Sequence, residues 1–165
     1  MFDLQNIKCA AVRNRKAVEL KPSLAQCTEI AKAQLGEDMR FDIDVDGIQI
    51  RADVPKKYGG NGTMPGPSAH ALSSFIICLL VGYLVKFAEK DIPITGIGME
   101  VQADSDSAVK REYTDVRYIV TVDSDAPEED IQRAIEESDS ASFGLALFQQ
   151  PVNTHREVRI TAGAS

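Results

Sequence analysis

A single cysteine, Cys78, stands inside an unbroken apolar run from Phe75 to Val85. A cysteine acts as a nucleophile and a reductant once its thiol ionises, so a protected thiol on a central helix is a candidate for redox chemistry. Packing explains the same residue, because free cysteine is among the residue types most often buried. The sequence therefore leaves two interpretations of Cys78 open, a reactive thiol and a core residue.

The polar residues that could assist Cys78 lie upstream on the same predicted helix. Ser74 precedes the thiol by four residues and Gly82 follows it by four, so one side of the helix near Cys78 is small and partly polar. His70 lies more than two turns upstream and is offset around the helix, which favours a polar contact over a role as a base. Ser68, His70 and Ser74 are the candidate pocket residues of this segment.

The sequence contains few cysteines and histidines that could form a metal site or disulfide bonds. The three cysteines, Cys9, Cys27 and Cys78, are an odd number without regular spacing, and the two histidines are His70 and His155. A zinc site or a disulfide scaffold would need more ligands or an even cysteine framework. We expect no metal and no cofactor.

Charge excludes some classes of partner. The chain has a net charge of −7 and a pI near 4.8, and its longest basic cluster is Lys56-Lys57. Nucleic acids and anionic membrane surfaces are bound by a positive surface, so neither is an expected partner.

Residues 1–20 mix charged and apolar side chains, unlike a signal peptide. A length of 165 residues suits one domain, which we expect to be cytoplasmic.

The segment that carries Cys78 has clear signals for the start and the end of a helix. The Gly/Pro-rich stretch from Gly59 to Pro67 is typical of a loop, and Pro67 suits the first helical position. From Ser68 to about Lys90 only Gly82 disfavours a helix, by about 1 kcal/mol relative to Ala, and Pro93 ends it. A membrane span would need roughly 18 consecutive apolar residues, and the run around Cys78 is shorter.

Alternating apolar and polar residues predict antiparallel strands. Residues 41–45 and 48–54 alternate on either side of Asp46-Gly47, the pattern of a hairpin with a type I′ turn. The sequence also predicts strands over 97–103, 116–122 and 157–161, a second helix from Asp125-Ala126-Pro127, and a shorter helix over 142–149. Residues 3–18 fit a helix, and residues 24–35 fit either a helix or a strand.

The helix around Cys78 is apolar on every side, which predicts burial on every side. One small sheet covers only one side of such a helix. A second copy of the chain is the simplest source of the remaining cover, so we expect an obligate homodimer with the long helices at its centre.

The order of these features resembles the OsmC/Ohr family, the osmotically inducible protein C and organic hydroperoxide resistance proteins. The resemblance rests on the hairpin, Asp53-Val54-Pro55, Gly59-Gly60, and a cysteine eleven residues beyond Pro67 in an apolar helix. It implies an α+β fold in an intertwined homodimer, with a long buried central helix and a second helix wrapped by antiparallel sheets. It also implies one domain over residues 1–165, with an N-terminal extension over about 1–36 and the family core over 39–161.

What the resemblance implies chemically is thiol-dependent reduction of hydroperoxides, in which the first cysteine becomes a sulfenic acid and a second cysteine resolves it. The first cysteine matches Cys78. The second falls at Ser142, and the acidic residue after the helix-opening proline falls at Ser68, so this chain resembles a divergent member that lacks both. Ser142 and Phe143 are then candidate residues of an apolar pocket beside the thiol. The arginine of the family is not placed among Arg13, Arg15, Arg40 and Arg51.

Two leading functions remain open from the sequence, and another class of enzyme is the remaining alternative. In the first, the protein reduces small apolar organic hydroperoxides with Cys78 alone, as a peroxidase of oxidative-stress defence, and an external thiol, Cys9 or Cys27 resolves the sulfenic acid. In the second, it is a non-catalytic descendant that binds a small apolar ligand or a protein partner.

Overall fold

The computed structural model describes residues 3–106, 112–150 and 152–159. In chain order the elements are helix α1 (Leu4–Leu20), strands β1 (Ala31–Leu35), β2 (Arg40–Val45) and β3 (Ile48–Asp53), helix α2 (Pro67–Glu89), strands β4 (Gly96–Asp106) and β5 (Glu112–Asp123), and helices α3 (Glu128–Asp139) and α4 (Phe143–Gln149). Strands β1–β3 form one antiparallel sheet, and β4 and β5 form a second. The predicted α+β fold class is confirmed.

The long helix α2 begins and ends close to the predicted residues. Pro67 follows the extended N-cap residue Gly66, and the helix runs to Glu89. Beyond it Asp91 has a left-handed backbone with φ 56°, and the N–H of Ile92 donates a hydrogen bond to the carbonyl of Phe87. The chain therefore leaves the helix two residues before Pro93.

The β2–β3 hairpin has the predicted type I′ turn. Asp46 and Gly47 have φ values of 49° and 87°, as this turn requires at both central positions. Residues 24–35, which fitted a helix or a strand, contain the end of a 3₁₀ turn at Pro22–Ala25 and strand β1. Strand β1 forms because β2 offers it an edge to pair with.

The register of the first sheet gives it one fully apolar face. Directly opposed residues share a face, and faces alternate along each strand. One face consists of Ala31, Ala33, Leu35, Phe41, Ile43, Val45, Ile48, Ile50 and Ala52, and the other carries Lys32, Gln34, Asp42, Asp44, Gln49 and Arg51. Within one chain the apolar face is largely open, with Leu35 60% and Ile48 69% exposed.

The core lies between α2, α3 and the second sheet. Residues Phe75, Leu79, Tyr83 and Phe87 recur every four positions on α2, so they form one stripe, and all four are buried. Ala134 of α3 is fully buried against this stripe, and Ile97, Met99, Val120 and Val122 of the sheet pack on it.

The opposite face of α2 is exposed in a single chain. Ile77 is 60% and Val81 54% exposed, so the burial on every side that the sequence predicts is not reached within one protomer. Helix α2 is long and apolar enough to span a membrane by length and composition alone. It nonetheless contacts α1, α3, α4 and β4, as a core helix does.

Of residues 3–18, which fit a helix, residues 4–18 belong to α1 and Asp3 is its N-cap residue. The carboxylate of Asp3 caps the helix by accepting a hydrogen bond from the N–H of Asn6. Ion pairs from Arg15 to Glu89 and from Lys8 to Asp91 join α1 to the end of α2 and to the turn that follows it.

The strand predicted over residues 157–161 is wrong as far as the structure describes it. Residues 157–159 are exposed and have no strand conformation, and residues 160 and 161 lie outside the described residues. Val158 alternates with charged neighbours, but alternation produces a strand only where a sheet edge is available for pairing.

Candidate functional site

Cys78 is half-buried at one end of a cleft of about 430 Å³. The floor of this cleft is one stripe of α2, formed by Cys78, Val81, Gly82, Val85, Lys86 and Glu89. Residues at these spacings share one face of a helix. The end of α3 and the start of α4 form a wall, and α1 contributes Arg15. We call this site the Cys78 cleft.

Two glycines allow the wall to approach α2. A β-carbon on Gly82 would lie 2.7 Å from the hydroxyl oxygen of Ser138, closer than such atoms approach. A β-carbon on Gly144 would lie 3.0 Å from Cβ and 3.2 Å from Sγ of Cys78. Gly144 therefore lets α4 pack directly against the thiol.

Ser142 and Phe143 both line the Cys78 cleft. The hydroxyl of Ser142 caps α4 by accepting a hydrogen bond from the N–H of Leu145 at 3.2 Å, and caps of this kind stabilise a helix. Phe143 is 71% exposed at the edge of the cleft. Ser142, which stands at the position of the family's second cysteine, therefore stabilises the start of α4.

The half-buried carboxylate of Asp139 holds this wall in place. The hydroxyls of Tyr83 and Tyr118 donate hydrogen bonds to the carboxylate of Asp139, at 2.6 Å and 3.1 Å. The pKa of both tyrosines is raised, mainly by burial and secondly by the negative charge and hydrogen bond of the Asp139 carboxylate. The rise is larger for Tyr83. The carbonyl of Asp139 also accepts the N–H of Ser142. Asp139 therefore ties the α3–α4 corner to α2 and to β5.

The other predicted pocket residues lie away from the Cys78 cleft. Ser68 lines a separate cleft between the start of α2 and the first sheet. His70 is half-buried, and its Nε2 has no hydrogen-bond partner among the described residues. Ser74 is exposed one turn before Cys78 and does not line the Cys78 cleft.

The loop before α2 is held by a buried carboxylate, Asp53, which is 1% exposed. Its Oδ2 accepts hydrogen bonds from the backbone N–H of Thr63 at 2.8 Å and from the Thr63 hydroxyl at 3.0 Å. The backbone hydrogen bond from Thr63 is the main cause that lowers the pKa of Asp53. These contacts fix the Gly-rich loop that leads into α2.

Of the four arginines that the sequence left unplaced, Arg15 lines the Cys78 cleft. Arg51 pairs with Asp42 on the polar face of the first sheet, Arg40 begins β2, and Arg13 lies on another side of α1. The sequence analysis also missed Lys86, although its helical spacing from Cys78 could have indicated it. No local signal marks Arg15, which is distant from Cys78 in sequence.

The remaining cysteines do not line the Cys78 cleft. Cys9 and Cys27 are exposed. Within residues 3–106, 112–150 and 152–159, no group of three histidine, cysteine or acidic side chains is placed to hold a metal ion.

A family model for OsmC-like proteins matches residues 59–156, which include Cys78 and the whole of α2, α3 and α4. The chain belongs to the OsmC-like family. The match begins after the first sheet, so α1 and β1–β3 precede it. No curated protein matches the chain.

Solved OsmC-like structures share the fold. The OsmC-like protein of Mycoplasma pneumoniae aligns with a TM-score of 0.67 and 21% identity, over 75% of this chain and 89% of that protein. An organic hydroperoxide resistance protein OsmC from Legionella pneumophila aligns with a TM-score of 0.57 and 11% identity, over 74% and 90% of the two chains. The organic hydroperoxide resistance protein OhrB of Bacillus subtilis aligns with a TM-score of 0.51 and 16% identity, over 74% and 91%.

Proposed function

We propose that this OsmC-like protein is a one-cysteine thiol peroxidase that reduces apolar organic hydroperoxides. The observation that carries the proposal is the position of Cys78, whose thiol lies beside Ser142 and Gly144 at one end of an apolar cleft. The names of two relatives by fold, both organic hydroperoxide resistance proteins, support the same class of reaction.

The reaction balances with an external thiol as the reductant. The Cys78 thiolate attacks the peroxide O–O bond, an S–O bond forms, and the alkoxide leaves and takes a proton to become an alcohol. A first external thiol then displaces water from the sulfenic acid and forms a mixed disulfide. A second thiol reduces that disulfide and restores Cys78. The net reaction consumes one hydroperoxide and two thiols, and yields an alcohol, a disulfide and water.

An external thiol is required because the described residues offer no second thiol in the cleft. Ser142 replaces the second cysteine of the family, and Cys9 and Cys27 are exposed and do not line the Cys78 cleft. The sulfenic acid should therefore persist until a small thiol reaches it. A reducing cytoplasm, where we propose the protein works, supplies such thiols.

The cleft favours an apolar substrate over hydrogen peroxide. Val81, Val85 and Phe143 provide apolar contact beside Cys78. Hydrogen peroxide has no apolar part, so it gains nothing from these side chains.

We also propose that the working form is a homodimer. The apolar face of the first sheet and the exposed face of α2, with Ile77 and Val81, are both uncovered in one chain. Such faces rarely stay open to water, and two copies can cover each other's. Because Val81 and Phe143 border the Cys78 cleft, the second copy would lie next to the thiol.

The test traps the sulfenic acid. The wild-type protein treated with cumene hydroperoxide should form a dimedone adduct on Cys78, Cys78→Ser should form none, and Cys9→Ser and Cys27→Ser should keep it. With a dithiol present, cumene hydroperoxide should be reduced faster than hydrogen peroxide. A Cys78 that reacts with neither peroxide nor an alkylating agent until the protein is denatured would overturn the proposal and leave binding as the role of the cleft.

A further inference from the structure

Helix α1 lies at one end of the Cys78 cleft. From Cys78 to Glu89 the floor of the cleft follows α2 for about 16 Å, and Arg15 of α1 lines the end beside Glu89. The end of α3 and the start of α4 wall one side. In the proposed dimer the second copy lies over Val81 and Phe143, so the end beside Glu89 is the entrance that remains.

Few apolar contacts hold α1 in place. The helix packs on α2, yet none of its 17 residues is buried. One stripe of half-buried apolar side chains, spaced as one face of a helix, consists of Leu4, Ile7, Ala11 and Val18. The exposed Arg15 interrupts this stripe where α1 meets the cleft. An element with so little buried apolar surface can open locally at a low cost in free energy.

Two ion pairs complete the docking of α1, and water reaches both. Lys8 pairs with Asp91, whose side chain is 71% exposed, and Arg15, which is 57% exposed, pairs with Glu89. Exposed ion pairs stabilise a structure only slightly, and salt screens them. We therefore expect the docking of α1 to weaken as the ionic strength rises.

We propose that α1 is a gate on the Cys78 cleft, which undocks to admit the hydroperoxide and the external thiol and is open more often at high ionic strength. The identity of what enters rests on the proposed peroxidase function, but the movement of α1 does not. Arg15 borders the cleft and also holds α1 on α2, so undocking opens the cleft directly. Because α1 precedes the residues that the family model matches, the gate lies outside the matched region.

The first experiment measures access to the thiol without peroxide. Cys78 is alkylated with N-ethylmaleimide in a Cys9→Ser/Cys27→Ser protein, at ionic strengths of about 20 mM and 500 mM. The rate should rise with salt. Lys8→Glu leaves the lining of the cleft unchanged and turns the attraction to Asp91 into repulsion. It should raise the rate at low salt about two- to five-fold, the effect of losing one exposed ion pair, and reduce the further increase with salt.

Two more variants separate the gate from a general effect of charge. Asp91→Asn removes the same ion pair from the other side and keeps a residue type that tolerates the left-handed backbone at this position, so it should also raise the rate. Lys16→Glu makes the same charge change on α1 at an exposed residue that has no ion-pair partner among the described residues. It should leave the rate unchanged.

The second experiment follows α1 itself by hydrogen exchange, with α2 as the reference for global unfolding. Exchange should be faster in α1 than in α2, and both salt and Lys8→Glu should accelerate it in α1 alone. Faster exchange in α1 together with faster alkylation of Cys78 supports the gate, even if Cys78 reduces no peroxide. Exchange in α1 as slow as in α2, faster exchange without faster alkylation, or equal effects of Lys8→Glu and Lys16→Glu overturns it. In each of these cases a dimedone adduct on Cys78 leaves the proposed peroxidase function standing.

Discussion

Gly144 packs directly against Cys78: a β-carbon at Gly144 would lie 3.2 Å from the sulfur and 3.7 Å from the hydroxyl oxygen of Ser142. The thiol and the serine therefore flank one point on the surface of α4. This contact leaves no room for another atom. Small changes to the side chains of residues 142 and 144 should therefore alter the reactivity of the Cys78 thiol.

Gly144→Ala should slow the alkylation of Cys78 several-fold, because the added methyl group meets the sulfur. Stability should change little or fall by about 1–2 kcal/mol, since overpacking opposes the gain in helix propensity. The measurements are the rate of iodoacetamide modification and urea unfolding.

Two further variants check the contact with Gly144. Cys78→Ala should relieve the overpacking of Gly144→Ala in the double variant, so their effects on stability should not add. Gly98→Ala serves as a control, because a β-carbon there meets nothing within 4 Å. Additive effects of the first pair would contradict the contact.

Ser142→Cys should replace the trapped sulfenic acid with an internal disulfide. The peroxide-treated variant should lose the dimedone adduct and one pair of free thiols, and its disulfide should map to residues 78 and 142 by mass spectrometry. The reduced variant should be less stable by about 1 kcal/mol, because α4 loses its hydroxyl cap. Ser140→Cys, which places a thiol two residues away and outside the cleft, should retain the adduct on Cys78.

Tyr83→Phe should destabilise the protein by about 1–3 kcal/mol, because the half-buried carboxylate of Asp139 loses its shorter hydrogen bond. The raised pKa of Tyr83 means that the folded protein keeps a proton that the unfolded chain releases above about pH 10. Stability of the wild type should therefore fall as the pH rises above 10, and should fall less steeply in Tyr83→Phe. Urea unfolding between pH 8 and pH 11 measures both effects. The exposed Tyr58→Phe should change neither, and equal alkaline slopes for Tyr83→Phe and the wild type would refute the linkage.

Leu35→Lys should dissociate the proposed dimer, because it places a charge on the apolar face of the first sheet, where burial without a partner is costly. Sedimentation should give twice 18.0 kDa for the wild type and 18.0 kDa for the variant at micromolar concentration. Gln34→Lys is the matched control, since the neighbouring residue of β1 points to the polar face. A monomeric wild type would count against the dimer, and equal dissociation by both variants would count against this face as its interface.

Local patterns were sufficient for most of the fold. Gly66 and Pro67 start α2, and Asp46-Gly47 makes the predicted turn. Alternation over 97–103 and 116–122 identified β4 and β5. In each case the information lies within a few neighbouring residues, where backbone sterics and side-chain periodicity act.

The candidate site was only partly predictable. Ser142 and Phe143 were chosen through the family resemblance, and they line the same cleft as Cys78. Ser68, His70 and Ser74 were chosen because they share a helix with the thiol, but a helix of that length separates its two ends too far for Ser68 or His70 to join the cleft.

The sequence by itself determined where the helices and hairpin form and that α2 is too apolar to stand alone, because propensity, capping and hydrophobic periodicity are local properties of the chain. Only the tertiary structure decided that Arg15 and Lys86 share a cleft with Cys78, that β1 is a strand while residues 157–159 are not, and that Asp139 holds the wall of the site. Those outcomes depend on which surfaces meet after the chain has folded, and contacts between residues far apart in sequence leave no local pattern.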